Sequence, residues 1–426
     1  MSTTLHAHTG DSTPVKSAAP GLPVVNANTF APRHTVAPVH AAELPDLMKG
    51  TRVVVIGAGC FGGWSALWLL RRGMQVTLID AWGGGNSRSS SGDETRVIRS
   101  TYGSNETYFD MNVRAIDLWR EHEQAFGKQV FFNAGVLWLC YQDKTPIVDD
   151  SIPFANRHGV PYEYLSAEQL SQKFPLIGSR DLHHAHLDHA GGYLKAREAT
   201  MAVQELFVKE GGVYIQQKVD VPHVTNKAFT TITLSSGQTV TGDVFLFACG
   251  SWMGQMFPDV LGNVITCTRQ EVFYFGTPPG SGYDQLPVWV DVDGRDFYYG
   301  IPGNAGRGFK VGVDIRGDAF EPTSGDRVYS PEVLNKARAF LAHRFPGLGH
   351  APLVESRVCP YENSPDGNFV FDVHPHAKNI LFLGGGSGHG FKHGPALGEL
   401  VADVLTGKRQ RPSLFALAFD GNKVSS

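Results

Sequence analysis

The residues best placed to do chemistry fall between Val53 and Asp80. The run Val53-Val-Val-Ile-Gly-Ala-Gly-Cys-Phe-Gly-Gly-Trp sets Gly57, Gly59 and Gly62 between a β-branched segment and an apolar-periodic one, and Asp80 closes a second short run beginning at Val76. That spacing suits a dinucleotide pyrophosphate. Gly57 lets the chain turn sharply out of a strand, Gly59 lets backbone approach the phosphates, and Gly62 lets helix and strand pack closely. The N-terminus of the following helix offers free N–H groups and a positive dipole end. Asp80 stands where a carboxylate accepts from both hydroxyls of an adenosine ribose. Glycines alone would be weak evidence; strand, helix, second strand and acid in order are much stronger.

Two further stretches carry reactive side chains. After Asp80, Trp-Gly-Gly-Gly-Asn-Ser-Arg-Ser-Ser-Ser-Gly-Asp-Glu-Thr-Arg-Val-Ile-Arg-Ser is a small-residue loop ending in Arg96 and Arg99, which share a face if the segment is a helical turn. Against this stands an ordinary solvated loop. His183-His-Ala-His-Leu-Asp-His packs four imidazoles and a carboxylate into seven residues, and strand alternation would put His184, His186 and Asp188 on one face. This pattern suggests a metallohydrolase, but no nucleophile or supporting shell accompanies it, so no metal ligands are assigned. The histidines His6, His8, His34 and His40 have no rigid spacing.

The elements that position these residues follow from length and pattern. A chain of 426 residues is long for one core, so two domains are expected. Apolar content of 42%, charged content of 18% and net charge −4 describe a globular protein without a basic face for nucleic acid. No apolar run is long enough to span a bilayer and no signal peptide is evident. Five scattered cysteines argue for a reducing compartment, with cytoplasm the default. Residues 1–50 read as a tail or arm. Residues 51–129, 196–266 and 357–426 carry βαβ-like patterns, whereas 130–195 and 267–356 are strand-rich. The predicted class is α/β: a Rossmann-like, doubly wound domain interleaved with a substrate domain on a mixed or antiparallel sheet. A nucleotide domain visited three times, with the glycine-rich turn Gly384–Lys392 before a last helix, favours FAD over NAD. That helix N-terminus would face the flavin pyrimidine, where reduction places negative charge.

Several separated motifs then resemble one family, the monomeric sarcosine oxidase and N-methyltryptophan oxidase group of FAD-dependent amine oxidases, D-amino acid oxidase-like flavoproteins. Gly92-Asp-Glu-Thr-Arg-Val-Ile-Arg resembles its Gly-Asp-Thr-Arg-Ile-Ile-Arg. Gly308-Phe-Lys-Val-Gly is similar to the strand bearing its flavin-side lysine, Cys359-Pro-Tyr-Glu-Asn-Ser-Pro-Asp to its Cys-x-Tyr-x-x-x-Pro-Asp, and Gly386-Ser-Gly-His-Gly-Phe-Lys to its closing motif. The resemblance implies that Cys359 holds FAD through a thioether and that Lys310 sits over the flavin. It implies that Arg96 lies against the ring, that Arg99 and Lys392 clamp a substrate carboxylate, and that Tyr299 lines the cavity. Val219 would contact adenine through its backbone, and Ser91, Gly388, His389 and Gly390 would contact the cofactor. Two departures argue against sarcosine as substrate. Ser91, followed by the extra residue Glu94, stands where small-substrate relatives have histidine, and Asp314 replaces a second histidine.

The chemistry implied is oxidation of an amino acid or N-substituted amino acid to an imine that water hydrolyses. O₂ is the electron acceptor and hydrogen peroxide the second product. Positioning by the carboxylate clamp supplies most of the catalysis, and the Lys310 ammonium stabilises the anion formed as O₂ is reduced. A dehydrogenase serving another acceptor shares every motif, Lys310 speaking against it. A non-catalytic FAD subunit of a larger complex is a further alternative, and the intact Arg99 and Lys392 pair speaks against that.

Overall fold

The computed structural model describes residues 43–224, 229–292 and 297–417. Of the expected tail, residues 1–42 and their histidines lie outside the described residues. From Leu47 the chain is anchored, since this buried leucine donates its N–H to Leu405 O at 2.6 Å.

Two large sheets divide the molecule. The first has six strands, in the spatial order Val370–His374, Ala377–Gly384, Val244–Phe247, Arg52–Ile56, Gln75–Asp80 and Val213–Gln216. All neighbours are parallel except the outer pair Val370–His374 and Ala377–Gly384. A parallel sheet must be covered on both faces, and alternation in the central strand achieves this. Val53 and Val55 join the core formed with helices Cys60–Arg71, Ala196–Lys209 and Gly394–Leu405, whereas Val54 and Ile56 join the core under the hairpin Thr231–Thr233/Thr239–Thr241 and the short helices Met253–Met256 and Pro258–Leu261.

The second sheet has eight strands, in the order Leu353–Asn363, Thr266–Phe275, Phe309–Val313, Phe297–Ile301, Val288–Val292, Val136–Cys140, His184–Asp188 and Tyr162–Ser166. Its neighbours are antiparallel except Val288–Val292 beside Val136–Cys140. Strand Leu353–Asn363 crosses the boundary placed at residue 357 and pairs with Thr266–Phe275 along its length. Period-2 alternation sorts this sheet as well. Phe273, Phe275, Phe309, Val311 and Trp289 pack under helix Pro331–Arg344. Tyr274, Lys310, Tyr299, Trp138 and His186 therefore leave by the opposite face, as does Cys359, which pairs with Gln270.

The segment around Arg96 is not helical. Thr95–Ile98 is a strand whose β-branched residues pair antiparallel with Gly192–Lys195. On an extended chain, residues three apart do not share a face, so Arg96 and Arg99 separate.

Candidate active site

At the carboxyl ends of the parallel strands lies a cleft of about 500 Å³. It is lined together by Gly57, Gly59 and Asp80, by Ser91 and Arg96, by Val219, by Tyr361 and Glu362, and by Gly388 and Gly390. This is where open α/β sheets bind ligands. Gly57 has φ +107°, and a Cβ there would lie 2.3 Å from Ala248 O; a Cβ on Gly62 would lie 1.9 Å from Gly57 O. A Cβ on Gly59 would meet Ser91 Oγ at 3.5 Å, an ordinary contact, so that position is open toward the cleft. Ser91 Oγ accepts from Cys60 N at 3.1 Å, fixing the loop on the helix N-terminus. Asp80 is oriented by Ala58, Trp82 and Gly83 N–H groups, each at 2.8 Å.

The cleft also fits a flavin nucleotide at a residue that the motif reading did not single out. Glu362 is nine-tenths buried, and its Oε2 has no hydrogen-bond partner among the described residues; Oε1 accepts from Gly386 N at 3.3 Å. Burial raises this carboxyl to about 7, against the opposing pull of the Gly386 and Gly385 N–H groups. A carboxyl so placed suits the hydroxyls and ring N–H of a bound cofactor.

Beside the cleft, Asp93 organises the residues expected at the flavin. Its Oδ2 accepts from Lys310 Nζ at 2.6 Å and pairs with Arg96, while Oδ1 accepts from Tyr274 OH at 2.8 Å. Burial alone would raise Asp93, but Lys310 and Arg96 hold it well below the usual carboxylate range. Lys310 also donates to Thr95 O at 2.8 Å, and Arg96 to Ser90 O at 2.8 Å. Burial lowers Lys310, with Asp93 opposing. Cys359 is buried against the same group: burial and then Asp93 raise its thiol, while Arg96 and Lys310 pull it down. The inserted Glu94 pairs with Arg357 at 2.9 Å and Arg307 at 3.5 Å.

Beyond Arg96, Arg99 meets Lys392, the last residue of the closing motif, at Tyr102. The guanidinium carbon of Arg99 lies 4.5 Å from the Tyr102 ring centroid and 5.1 Å from that of Trp138. Lys392 Nζ donates to Tyr102 OH at 2.9 Å and to His389 O at 2.7 Å. Among the described residues no carboxylate lies within ion-pair distance of either cation, although both are over nine-tenths buried. Burial, and then Arg99, hold Lys392 well below the ordinary lysine value. Half-buried Asp314 bridges the two groups electrically. Burial raises it, opposed first by Arg316, then by a bond with Tyr361, then by Arg99 and Lys392. Tyr361 in turn bonds Tyr299. The His389 ring is engaged by Tyr102 OH at 3.2 Å and Gly367 O at 2.9 Å, so its neighbours Gly388 and Gly390 form that wall of the cleft.

The histidine cluster is rearranged relative to its sequence pattern. Asp188 accepts from Ser100, Ala190 and Gly191 N–H groups and from Tyr162 OH, so its oxygens are used in the fold. Asp149 instead comes next to His184 and His186.

Fold and cleft together are those of an α/β protein built on two large sheets, with a ligand-sized cleft at the carboxyl ends of the parallel one. The chain belongs to the FAD dependent oxidoreductase family, whose sequence profile matches residues 52–404. It is 27% identical over 378 residues to monomeric sarcosine oxidase of Bacillus sp. (strain NS-129), covering 87% of this chain and 97% of that one. It is 27% identical over 357 residues to N-methyl-L-tryptophan oxidase of Yersinia pestis (strain Pestoides F), covering 82% and 93%. L-proline dehydrogenase from P. horikoshii shares the fold, with TM-score 0.74 at 22% identity over 86% of this chain and 96% of that one. Among the described residues no helix is long and apolar enough to cross a membrane.

Proposed function

We propose that the protein oxidises the C–N bond of an amino acid or N-substituted amino acid, with O₂ as acceptor and hydrogen peroxide as product. The observation that carries this reading is the pair Arg99 and Lys392, two buried cations at Tyr102 without a protein carboxylate. Buried basic groups without a carboxylate in contact are costly, and a substrate carboxylate supplies the contacting anion, Arg99 meeting it as a planar fork and Lys392 as a point charge. Bound FAD supplies the acceptor for the hydride equivalent leaving the carbon next to nitrogen. The chain's own residues bind and orient: the clamp fixes one end of the substrate, and Tyr299 and Tyr361 wall the cavity. Lys310, held by Asp93, keeps a positive charge where O₂ is reduced.

In this reading Cys359 carries FAD covalently, supported by its burial among Arg96, Lys310 and Asp93. Asp80 takes the adenosine ribose and Val219 the adenine. The six-stranded sheet with its helices serves the cofactor, together with the part of strand Leu353–Asn363 that carries Cys359, and the rest of the eight-stranded sheet serves the substrate. The test is anaerobic mixing with amino acids, N-alkyl amino acids and matched amines lacking the carboxylate, following flavin bleaching. Carboxylate-bearing amines should bleach it; equal rates with their decarboxylated counterparts would reject the clamp. Readmitting air should yield one hydrogen peroxide per flavin reoxidised. Covalency is read from acid-precipitated protein, which should stay yellow, and from Cys359→Ala, which should not.

A further inference from the structure

We infer that Asp149, His184 and His186 form a binding site for a divalent late-transition-metal ion of the Zn²⁺ class, outside the cofactor cleft. His184 and His186 stand two apart on strand His184–Asp188, so their imidazoles leave by one face, and helix Pro146–Asp149 brings Asp149 against them. One ligand atom from each of the three lies within 4.8 Å of the others.

The surrounding contacts prepare each donor. His184 Nδ1 faces His183 Nδ1 at 3.3 Å, which leaves Nε2 buried and, among the described residues, without a hydrogen-bond partner. A buried ring nitrogen left so is an expense that a metal ion removes. His186 Nε2 is 3.7 Å from Asp149 Oδ1, and the other Asp149 oxygen accepts from Thr145 N at 2.5 Å, which orients the carboxylate. The Tyr164 ring stacks on His184 at 5.3 Å and meets His186 edge-on at 5.4 Å, fixing both ring planes. Tetrahedral zinc asks for ligand atoms about 3.4 Å apart, so closure needs side-chain shifts of about 1 Å. Two imidazoles and one carboxylate suit Zn²⁺ rather than Mg²⁺ or Ca²⁺, and the partly exposed Asp149 side leaves the fourth position to water.

The ion would act by positioning. It staples the segment Thr145–Ser151 to the sheet, and that segment holds the turn at Tyr102. Ser151 Oγ accepts from Tyr102 N at 2.9 Å, and Ile147 O accepts from Gly103 N at 2.9 Å. Tyr102 is the ring between Arg99 and Lys392, and Trp138, which pairs with His186 across the sheet, is the ring on which Arg99 also rests.

The test uses the full-length flavoprotein, dialysed against EDTA and titrated with Zn²⁺ and, as an optical probe, with Co²⁺. One equivalent of Zn²⁺ should bind and raise Tm, and Co²⁺ should develop the intense visible bands of a tetrahedral site. His186→Asn and Asp149→Asn should each weaken binding by at least about a hundredfold, with flavin content and spectrum reporting that the variants are folded. Absence of stoichiometric binding by the wild-type protein would overturn the site. So would undiminished binding in either variant, which would place the ion on other histidines of the chain.

Discussion

Two buried lysines mark two regions of this molecule with opposite electrostatics. Around Lys310 the cations have a protein counter-ion in contact: its ammonium and the Arg96 guanidinium share Asp93, and Tyr274 completes that carboxylate's bonds. Around Lys392 two cations meet on neutral partners, the Tyr102 hydroxyl and ring, the His389 carbonyl and the Trp138 ring. In the first region the ammonium and the guanidinium are held by hydrogen bonds to Asp93, Thr95 O and Ser90 O. The second has no carboxylate in ion-pair contact among the described residues, Asp314 acting on Arg99 and Lys392 only from farther off. Preorganised charge serves a reaction step, whereas unmatched charge serves recognition.

Removing the anion from the matched region should cost the most. Asp93→Asn leaves Lys310 and Arg96 buried together without a counter-charge, and such a loss is worth about 3–5 kcal/mol of stability. Urea unfolding measures it. A loss under about 1 kcal/mol would mean that the two cations find other partners, and the contrast between the regions would fail.

How far each region can be read from sequence follows from how it is built. The nucleotide cradle is local: Gly57, Gly59, Gly62 and Asp80 act largely through backbone along one βαβ unit, so their spacing is visible in a single run. Asp93 sits inside the recognised Gly-Asp-Glu-Thr-Arg stretch, yet its partners Tyr274 and Lys310 come from strands far along the chain. Nothing local signals that three elements converge on one carboxylate. At Arg96 neither a helical turn nor a solvated loop forms, because Thr95–Ile98 pairs as a strand with Gly192–Lys195, a long-range partner that no local pattern signals. Tyr102 carries no motif, and Asp149 replaces Asp188 beside His184 and His186 because the latter's oxygens serve backbone amides. Glu362 was in view within the cysteine motif, but only burial distinguishes it from a surface glutamate.

That burial yields the second prediction. In the folded protein Glu362 titrates at about 7, above its ordinary value of 4.5, so the folded state holds this proton more tightly than the unfolded chain. Between those two pH values folding takes up a proton, and stability must fall as pH rises. The penalty is absent below the lower value and complete above the upper one, at roughly 3 kcal/mol. Comparing flavin-free Cys359→Ala protein with the same protein carrying Glu362→Gln, in urea at pH 5 and pH 8, isolates this contribution. Glu362→Gln should flatten the slope; parallel pH profiles would show the carboxyl to be ionised throughout.

The unmatched region should respond with the opposite sign from the matched one. Lys392→Met removes a desolvated amino group at the cost of its two hydrogen bonds to neutral acceptors, so stability should rise by about 1 kcal/mol. Recognition should suffer at the same time, with kcat/KM for a carboxylate-bearing amine falling about a hundredfold, the usual loss of roughly 2–3 kcal/mol for a buried charge partner. Lys310→Met should instead destabilise, because Asp93 would keep only Arg96. Variants at both lysines that shift stability in the same direction would remove the distinction drawn between them.

The smallest expected effect tests whether Asp314 belongs to recognition. Burial raises this carboxyl, and the charge acting on it most strongly is Arg316, ahead of its bond with Tyr361 and of Arg99 and Lys392. Arg316 is exposed, so solvent weakens its hold, while Tyr361 connects Asp314 to the cleft. A substrate whose carboxylate rests on Arg99 and Lys392 and whose distal end carries a cation or hydroxyl would find Asp314 at the other pole. Asp314→Asn keeps the shape and the Tyr361 bond but removes the charge. KM for the best amine should then rise about fivefold to tenfold, near 1 kcal/mol, with a smaller change for an analogue truncated before the distal polar group. Equal losses for both substrates would assign Asp314 to the Arg316 pair alone, and a preference for sarcosine over every larger amino acid would leave the carboxylate without a ligand to meet.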